Sequence, residues 1–297
     1  MDRQRASAAS LAGFDREIGL DATPRHGAPQ APQSPAAARP AHARPPHEHP
    51  VEHRAVTPVS VPVAAPRPTP GPVPSSHVFP ASSLSAPGDA DDRRARLAEI
   101  EARHAVTCPH CTVASGHSSL VFGEGAPDAG VMFVGEAPGE TEDRLGRPFV
   151  GAAGEKLDEM IRAMGLRREE CYVANVLKSR PPGNRTPMPV EVEGCGPFLT
   201  EQVLAIRPRV IVTLGGPATQ FVCGLATGIS RVRGTWQAWH PPAGAECAPI
   251  PVMPTYHPAY VLRTYTTQVR GEVWSDLRAV LSRLGRGVAS RRDADGT

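Results

Sequence analysis

The chain has 297 residues and a formal charge of +2, from 32 Lys and Arg against 30 Asp and Glu. Seventeen of its 34 Pro lie between Pro24 and Pro87, and six of its 11 His fall in the first 92 residues. Such a Pro/Ala/His/Ser-rich stretch buries too little apolar surface to offset its ordering entropy, so residues 1–92 are predicted to be a disordered tail. The folding unit is then 93–285, with 286–297 a frayed C-terminal tail. No apolar run approaches the roughly 18 residues of a membrane helix. The N-terminus has no continuous apolar stretch of the secretory kind, because Asp15 and Arg16 interrupt it. A cytoplasmic protein with reduced thiols is expected, and its six Cys read as metal ligands or buried thiols before disulfides. The charge balance is too mild to announce nucleic acid by itself.

Along the chain, Asp91-Asp92 and the helix formers after them predict a helix running towards Cys108-Pro109-His110-Cys111. Val131–Val134 is a short continuous apolar run ending at Gly135. Ala153–Met164 has helical periodicity, and Tyr172–Val176 reads as a second strand. A helix over Val190–Ile206 leads to a third strand at Val210–Leu214, then a helix over Pro217–Leu225. Ile250–Met253 forms a fourth strand leading into Tyr256-His257-Pro258, and Val273–Leu284 a last helix. Continuous apolar strands separated by helices predict an α/β fold with a parallel sheet covered on both faces.

Ligands of such sheets sit outside the carboxyl ends of the strands. That rule selects three segments, each read as a binding loop. The first, Gly135-Glu136-Ala137-Pro138-Gly139-Glu140-Thr141-Glu142-Asp143, is a tight turn whose backbone N–H groups can face a ligand. It is neither a dinucleotide fingerprint nor a P-loop, so phosphate binding there is a poor reading. Nearby, Gly146–Gly151 holds Phe149, which either packs in the core or offers an aromatic face to a planar ligand. The second segment starts at Asn175, whose amide offers both donor and acceptor to a base edge. It continues into a basic loop with Lys178, Arg180 and Arg185, side chains suited to phosphate or to solvent. The third is His257–Arg263. Cys108-x2-Cys111 with Cys195 looks like part of a metal site, a pattern consistent with zinc, an iron–sulfur cluster or no metal, and without an obvious fourth ligand.

Together GEAPGETED (135–143), GRPFVG (146–151), NVLKSRPPGNRTP (175–187) and HPAYVLR (257–263) resemble the family-4, iron–sulfur uracil-DNA glycosylases over about residues 95–285. The resemblance implies a three-layer α/β sandwich around a central four-stranded parallel sheet. It also implies hydrolysis of the N-glycosidic bond of uracil in DNA, with the nucleotide flipped into a pocket. Carried onto this sequence, Phe149 stacks on uracil, Asn175 bonds its edge, and Gly135, Glu136 and Ala137 line the pocket. His257 donates to O2 as charge develops. The first motif of well-studied relatives holds an Asp where Ala137 stands, so the resemblance gives Glu142 the water-positioning or charge-stabilising role. Leu262 and Arg263 enter the duplex near the vacated base. The family uses four Cys for a [4Fe–4S] cluster. Cys108, Cys111 and Cys195 match them, but Ser179 replaces the remaining ligand, so the cluster is Ser-ligated, three-iron, labile or absent. Its implied role is to pin the N-terminal helix and the 178–195 loop near DNA. The partner implied is uracil-containing DNA, bound by a monomer, with no membrane and with the tail either a tether for other proteins or a spacer. The competing readings are a uracil-DNA-binding relative that does not turn over, and a metal-stapled DNA-binding module. A covalent relative of the kind with a His in the basic loop is disfavoured, since 178–185 contains none.

Overall fold

The structure is a computed structural model that describes residues 79–114 and 116–286. Most of the predicted N-terminal tail, and all of the predicted C-terminal tail beyond Arg286, lie outside the described residues. The last part of the predicted tail is ordered structure. A short helix, α1 (Ala81–Leu84), precedes α2 (Ala90–Thr107), which starts at its Asp89 cap. The Ser83 hydroxyl donates to Glu201, and Arg96 donates to the Ser82 carbonyl. Composition alone placed the boundary too late, because a few specific polar contacts anchor this stretch.

The remaining elements follow in order: β1 (Glu124–Gly125), β2 (Val131–Gly135), α3 (Glu140–Leu145), α4 (Ala152–Ala163), β3 (Tyr172–Asn175), α5 (Pro189–Ile206), β4 (Val210–Leu214), α6 (Gly216–Cys223), α7 (Ile229–Val232), β5 (Gln237–Trp239), β6 (Ile250–Thr255), α8 (Pro258–Arg263) and α9 (Thr267–Arg283). The sheet order is β1-β3-β2-β4-β6-β5. Its four central strands are parallel, as expected, but β1 and β5 add antiparallel edges. The implied four-stranded sheet is therefore the centre of a six-stranded mixed sheet. These edges are two and three residues long, too short to show a period in sequence.

Alternate residues of each central strand enter opposite cores. Val131, Phe133, Val173 and Val212 pack with Leu157 and Ile161 of α4 and Val273 and Leu277 of α9. Met132, Val134, Ala174 and Ile211 pack with Ile100 of α2 and Phe198 and Leu204 of α5. Full burial of each such Val, Leu, Ile, Phe or Met side chain contributes about 1.5–3 kcal/mol, and it explains why the strands read as unbroken apolar runs. From β2 the chain crosses to β3 on one side, then returns through α5 to β4 on the other. The switch point of the sheet is thus the carboxyl end of β2, at Gly135.

No helix among the described residues is long and apolar enough to cross a membrane.

Candidate active site

A cavity of about 640 Å³ opens at that switch point. It collects Glu136, Ala137, Glu142, Asn175, Arg185, His257 and Arg263 from all three predicted segments, and Phe149 from the nearby 146–151 stretch. Its floor depends on Gly135, which pairs with Asn175 across the β2–β3 ladder. A Cβ at 135 would stand 2.3 Å from Asn175 Oδ1 and 2.4 Å from Phe149 Cζ. Only glycine lets the amide and the ring close over the strand end.

Asn175 is 1% exposed, and its Oδ1 is buried without a hydrogen-bond partner. A buried acceptor left unpaired costs about 1–3 kcal/mol, a cost that a ligand donor would offset. Phe149 is both core and pocket. It is 5% exposed, lines the cavity, and adopts φ +50°, a conformation uncommon outside glycine. Its ring centroid is 5.7 Å from that of His257, with the planes 32° apart.

His257 caps α8, its Nδ1 accepting from the Ala259 N–H at 3.1 Å. The neutral ring must then carry its hydrogen on Nε2. Burial first, and the Arg263 charge second, push the His257 pKa down to about 4, against an opposing pull from Glu142. The imidazole is therefore a neutral donor near pH 7. The segment 258–263, expected as a loop, is a helix with Pro258 at its first position, where a missing N–H costs nothing.

Glu142 Oε1 accepts from the N–H groups of Val150 (2.9 Å) and Gly151 (2.8 Å), just before α4. These bonds fix the carboxylate, and its Oε2 lies against Gly139, where a Cβ would come within 2.8 Å. Glu136 also lines the cavity, and burial raises its pKa. Ala137 places no carboxylate there. Leu262 is 39% exposed, and Arg263 beside it lines the cavity.

The basic loop departs from expectation. Lys178 is fully buried and does not face phosphate. Its ammonium donates to the Asn175 carbonyl (2.8 Å) and to Gln202 Oε1 (2.6 Å), and lies over the Phe122 ring. Burial lowers its pKa to about 8. The chain turns inward here because the Lys178 N–H donates to Cys195 Sγ and its carbonyl accepts from Val121. Arg185 forms two hydrogen bonds with Glu191, and Arg180 donates to Asn184 Oδ1 at 2.7 Å. The Arg185 charge holds the Glu191 carboxyl down at about 2.

Cys108, Cys111 and Cys195 meet on the α2–α5 side of the sheet, joined by His104. These four buried residues offer ligand atoms all within 4.8 Å of one another, so together they can hold a metal. Cys171 lies in the opposite core, where burial pushes its thiol up to about 12.

A family model for the uracil DNA glycosylase superfamily matches residues 122–278. The type-4 uracil-DNA glycosylase of Thermotoga maritima is 43% identical over 190 residues, covering 64% of this chain and 95% of that protein. That of Archaeoglobus fulgidus is 45% identical over 191 residues (62% and 92%), and that of Sulfurisphaera tokodaii 41% over 180 (59% and 79%). The chain belongs to the type-4 uracil-DNA glycosylase family.

Several pocket residues of this type-4 chain escaped the sequence reading. Leu214-Gly215-Gly216-Pro217 lies at the carboxyl end of the third parallel strand, so the same strand-end rule applied to it. Gly215, at φ +90°, makes room for His257, whose Cβ would stand 3.2 Å from a Cβ at 215. Ile229 and Ser230 reach the cavity from α7, and Tyr256 and Tyr260 from beside His257. The four-residue α7 has no periodicity to read.

Gly135→Ala is expected to lower single-turnover excision by about tenfold to a hundredfold, since displacing reacting groups by an ångström costs on that order. Retained Tm beside the lost rate would place the damage in the pocket; an unchanged rate would refute the floor assigned to Gly135.

Proposed function

We propose that this protein excises uracil from DNA, leaving an abasic site. The observation that carries the reading is the unpaired, buried Oδ1 of Asn175, a residue that lines the same cavity as Phe149 and His257. Uracil N3–H is a donor that satisfies this oxygen, and the Asn175 amino group complements the O4 carbonyl. Cytosine presents an acceptor at N3 and a donor at C4, so both contacts turn repulsive. Thymine differs by its methyl group, which the pocket wall must exclude.

The base enters by flipping out of the stack and lies on Phe149. As the C1′–N1 bond breaks, its electron pair moves into the uracil ring and charge accumulates on O2. The Nε2–H of neutral His257 donates to that oxygen. A water oxygen bonds to C1′ opposite the departing base, and the proton it loses is balanced by one taken up from solvent by the uracil anion. Glu142, fixed by two backbone N–H groups, orients that water and stabilises positive charge on the sugar. Lys178 is a positioning residue, tying the Asn175 backbone to α5 through Gln202. Leu262 and Arg263 fill and flank the vacated stack. Arg180 and Arg185 approach phosphate, with Arg185 exchanging its Glu191 contact to do so. A metal held by the His/Cys group would staple α2 to the 178–195 segment. The four-thiolate cluster implied by the resemblance lacks its fourth thiolate here, because residue 179 is Ser.

Purified protein incubated with DNA carrying one uracil, then treated with alkali, tests the reading. Strand scission at uracil and not at a thymine control is the expected result. Binding without scission overturns it and favours a non-catalytic relative.

A further inference from the structure

The fourth place of the metal group is filled by a residue outside the expected pattern. His104 lies in the last turn of α2, and its carbonyl accepts from the N–H of Cys108, the residue that caps the helix. His104 is 1% exposed, wedged edge-on against Phe198 with centroids 4.8 Å apart. Its Nε2 is 3.7 Å from Cys195 Sγ, and Cys195 Sγ is 3.5 Å from Cys111 Sγ. Ser179 occupies a different role. Its hydroxyl donates to Cys111 Sγ at 3.2 Å and stands 3.2 Å from His110 Nε2.

Spacing discriminates between metals. A tetrahedral ion with bonds of about 2.3 Å to sulfur and 2.0 Å to nitrogen sets its ligand atoms roughly 3.5–4 Å apart. A four-iron cluster binds each ligand to a different iron, so its donors stand further apart by the iron–iron separation. The four donors here all fall within 4.8 Å, which fits one ion. Three thiolates and one imidazole are a structural zinc set. The surroundings suit it. The Cys111 N–H donates to Cys108 Sγ (3.4 Å), the Lys178 N–H to Cys195 Sγ (3.2 Å), and Ser179 to Cys111, so every sulfur receives a donor. Zn²⁺ with three thiolates carries one net negative charge, and a buried ammonium, that of Lys178, belongs to the residue whose backbone N–H meets Cys195 Sγ.

We propose that His104, Cys108, Cys111 and Cys195 form a closed mononuclear zinc site, with Ser179 a hydrogen-bond donor to the Cys111 thiolate and not a ligand. The proposal deepens the metal staple described above and is independent of uracil excision.

The test uses the full chain, purified without added metal, with zinc, iron and acid-labile sulfide measured per chain. The metal is then exchanged for Co²⁺ and its absorption recorded for the native protein, His104→Ala, His104→Cys and Ser179→Ala. About one zinc and no sulfide is expected. Ser179→Ala retains the metal, His104→Ala binds it at least about tenfold more weakly, and His104→Cys binds one Co²⁺ with the spectrum shifted towards four thiolates. If His104→Ala fails to fold, the His104→Cys shift and Ser179→Ala retention decide. Iron and sulfide near four each, metal lost from Ser179→Ala but kept by His104→Ala, or protein without metal would each overturn the proposal. Uracil excision, assayed on the same native protein, separates failure here from failure of the glycosylase reading.

Discussion

Asn175→Ala is expected to lower the single-turnover rate of uracil excision by roughly 10³-fold while leaving the protein at least as stable. The two effects have separate physical causes. A site built to hydrogen-bond its substrate discriminates by about 10⁴–10⁵ against a partner lacking the groups, and truncating the amide removes the protein's half of those contacts. The native Oδ1, by contrast, is buried and unpaired in the free protein. Removing it relieves desolvation and breaks no hydrogen bond of that atom. The side chain borders an open cavity, so its loss adds to a space already present. The Lys178 contact is to the residue 175 carbonyl, which the substitution keeps. Rates from denaturing gels beside Tm values check this. A large fall in Tm would show that Asn175 supports the fold, and an unchanged rate would remove it from uracil recognition.

The parts of this arrangement legible in the sequence were those with a repeated physical signature. The central strands are buried on both faces, so each appears as a continuous apolar run, and the strand-end rule then selected Gly135, Asn175 and His257 before any contact was known. Elements too short to carry a period were not legible: β1, β5, α7 and the six-residue α8. Lys178 misled for a different reason. In a loop with Arg180 and Arg185 its charge suggested phosphate or solvent, but a buried ammonium is stable once two oxygens and an aromatic face receive it. His104 was hidden by its setting. The spacing to Cys108 was visible, yet one His in a polar helix has no distinguishing signal until α5 brings Cys195 against it.

His257→Gln is expected to slow excision by about 10²–10³-fold, the usual cost of one donor aimed at a developing oxyanion. It is also expected to change how the protein responds to acid. In the folded protein the imidazole has a pKa of about 4, below its ordinary 6.5, because burial and Arg263 disfavour the cation. Between those values the unfolded chain binds a proton that the folded protein does not. Stability from this group is therefore full above pH 6.5 and declines as pH falls towards 4, by on the order of 3 kcal/mol. The glutamine variant lacks this decline, so its Tm should fall less than that of the native protein from pH 7 to pH 4.5. Catalysis should respond over a different range. In the proposed role the neutral ring is the competent form, with Nδ1 occupied by the Ala259 N–H and Nε2–H left to donate. Protonation at Nδ1 breaks that cap, so loss of activity through this group is expected near pH 4. An acid limb near 6.5 that the variant lacks would show that His257 titrates as an exposed imidazole, and the oxyanion role would then need a group that stays neutral.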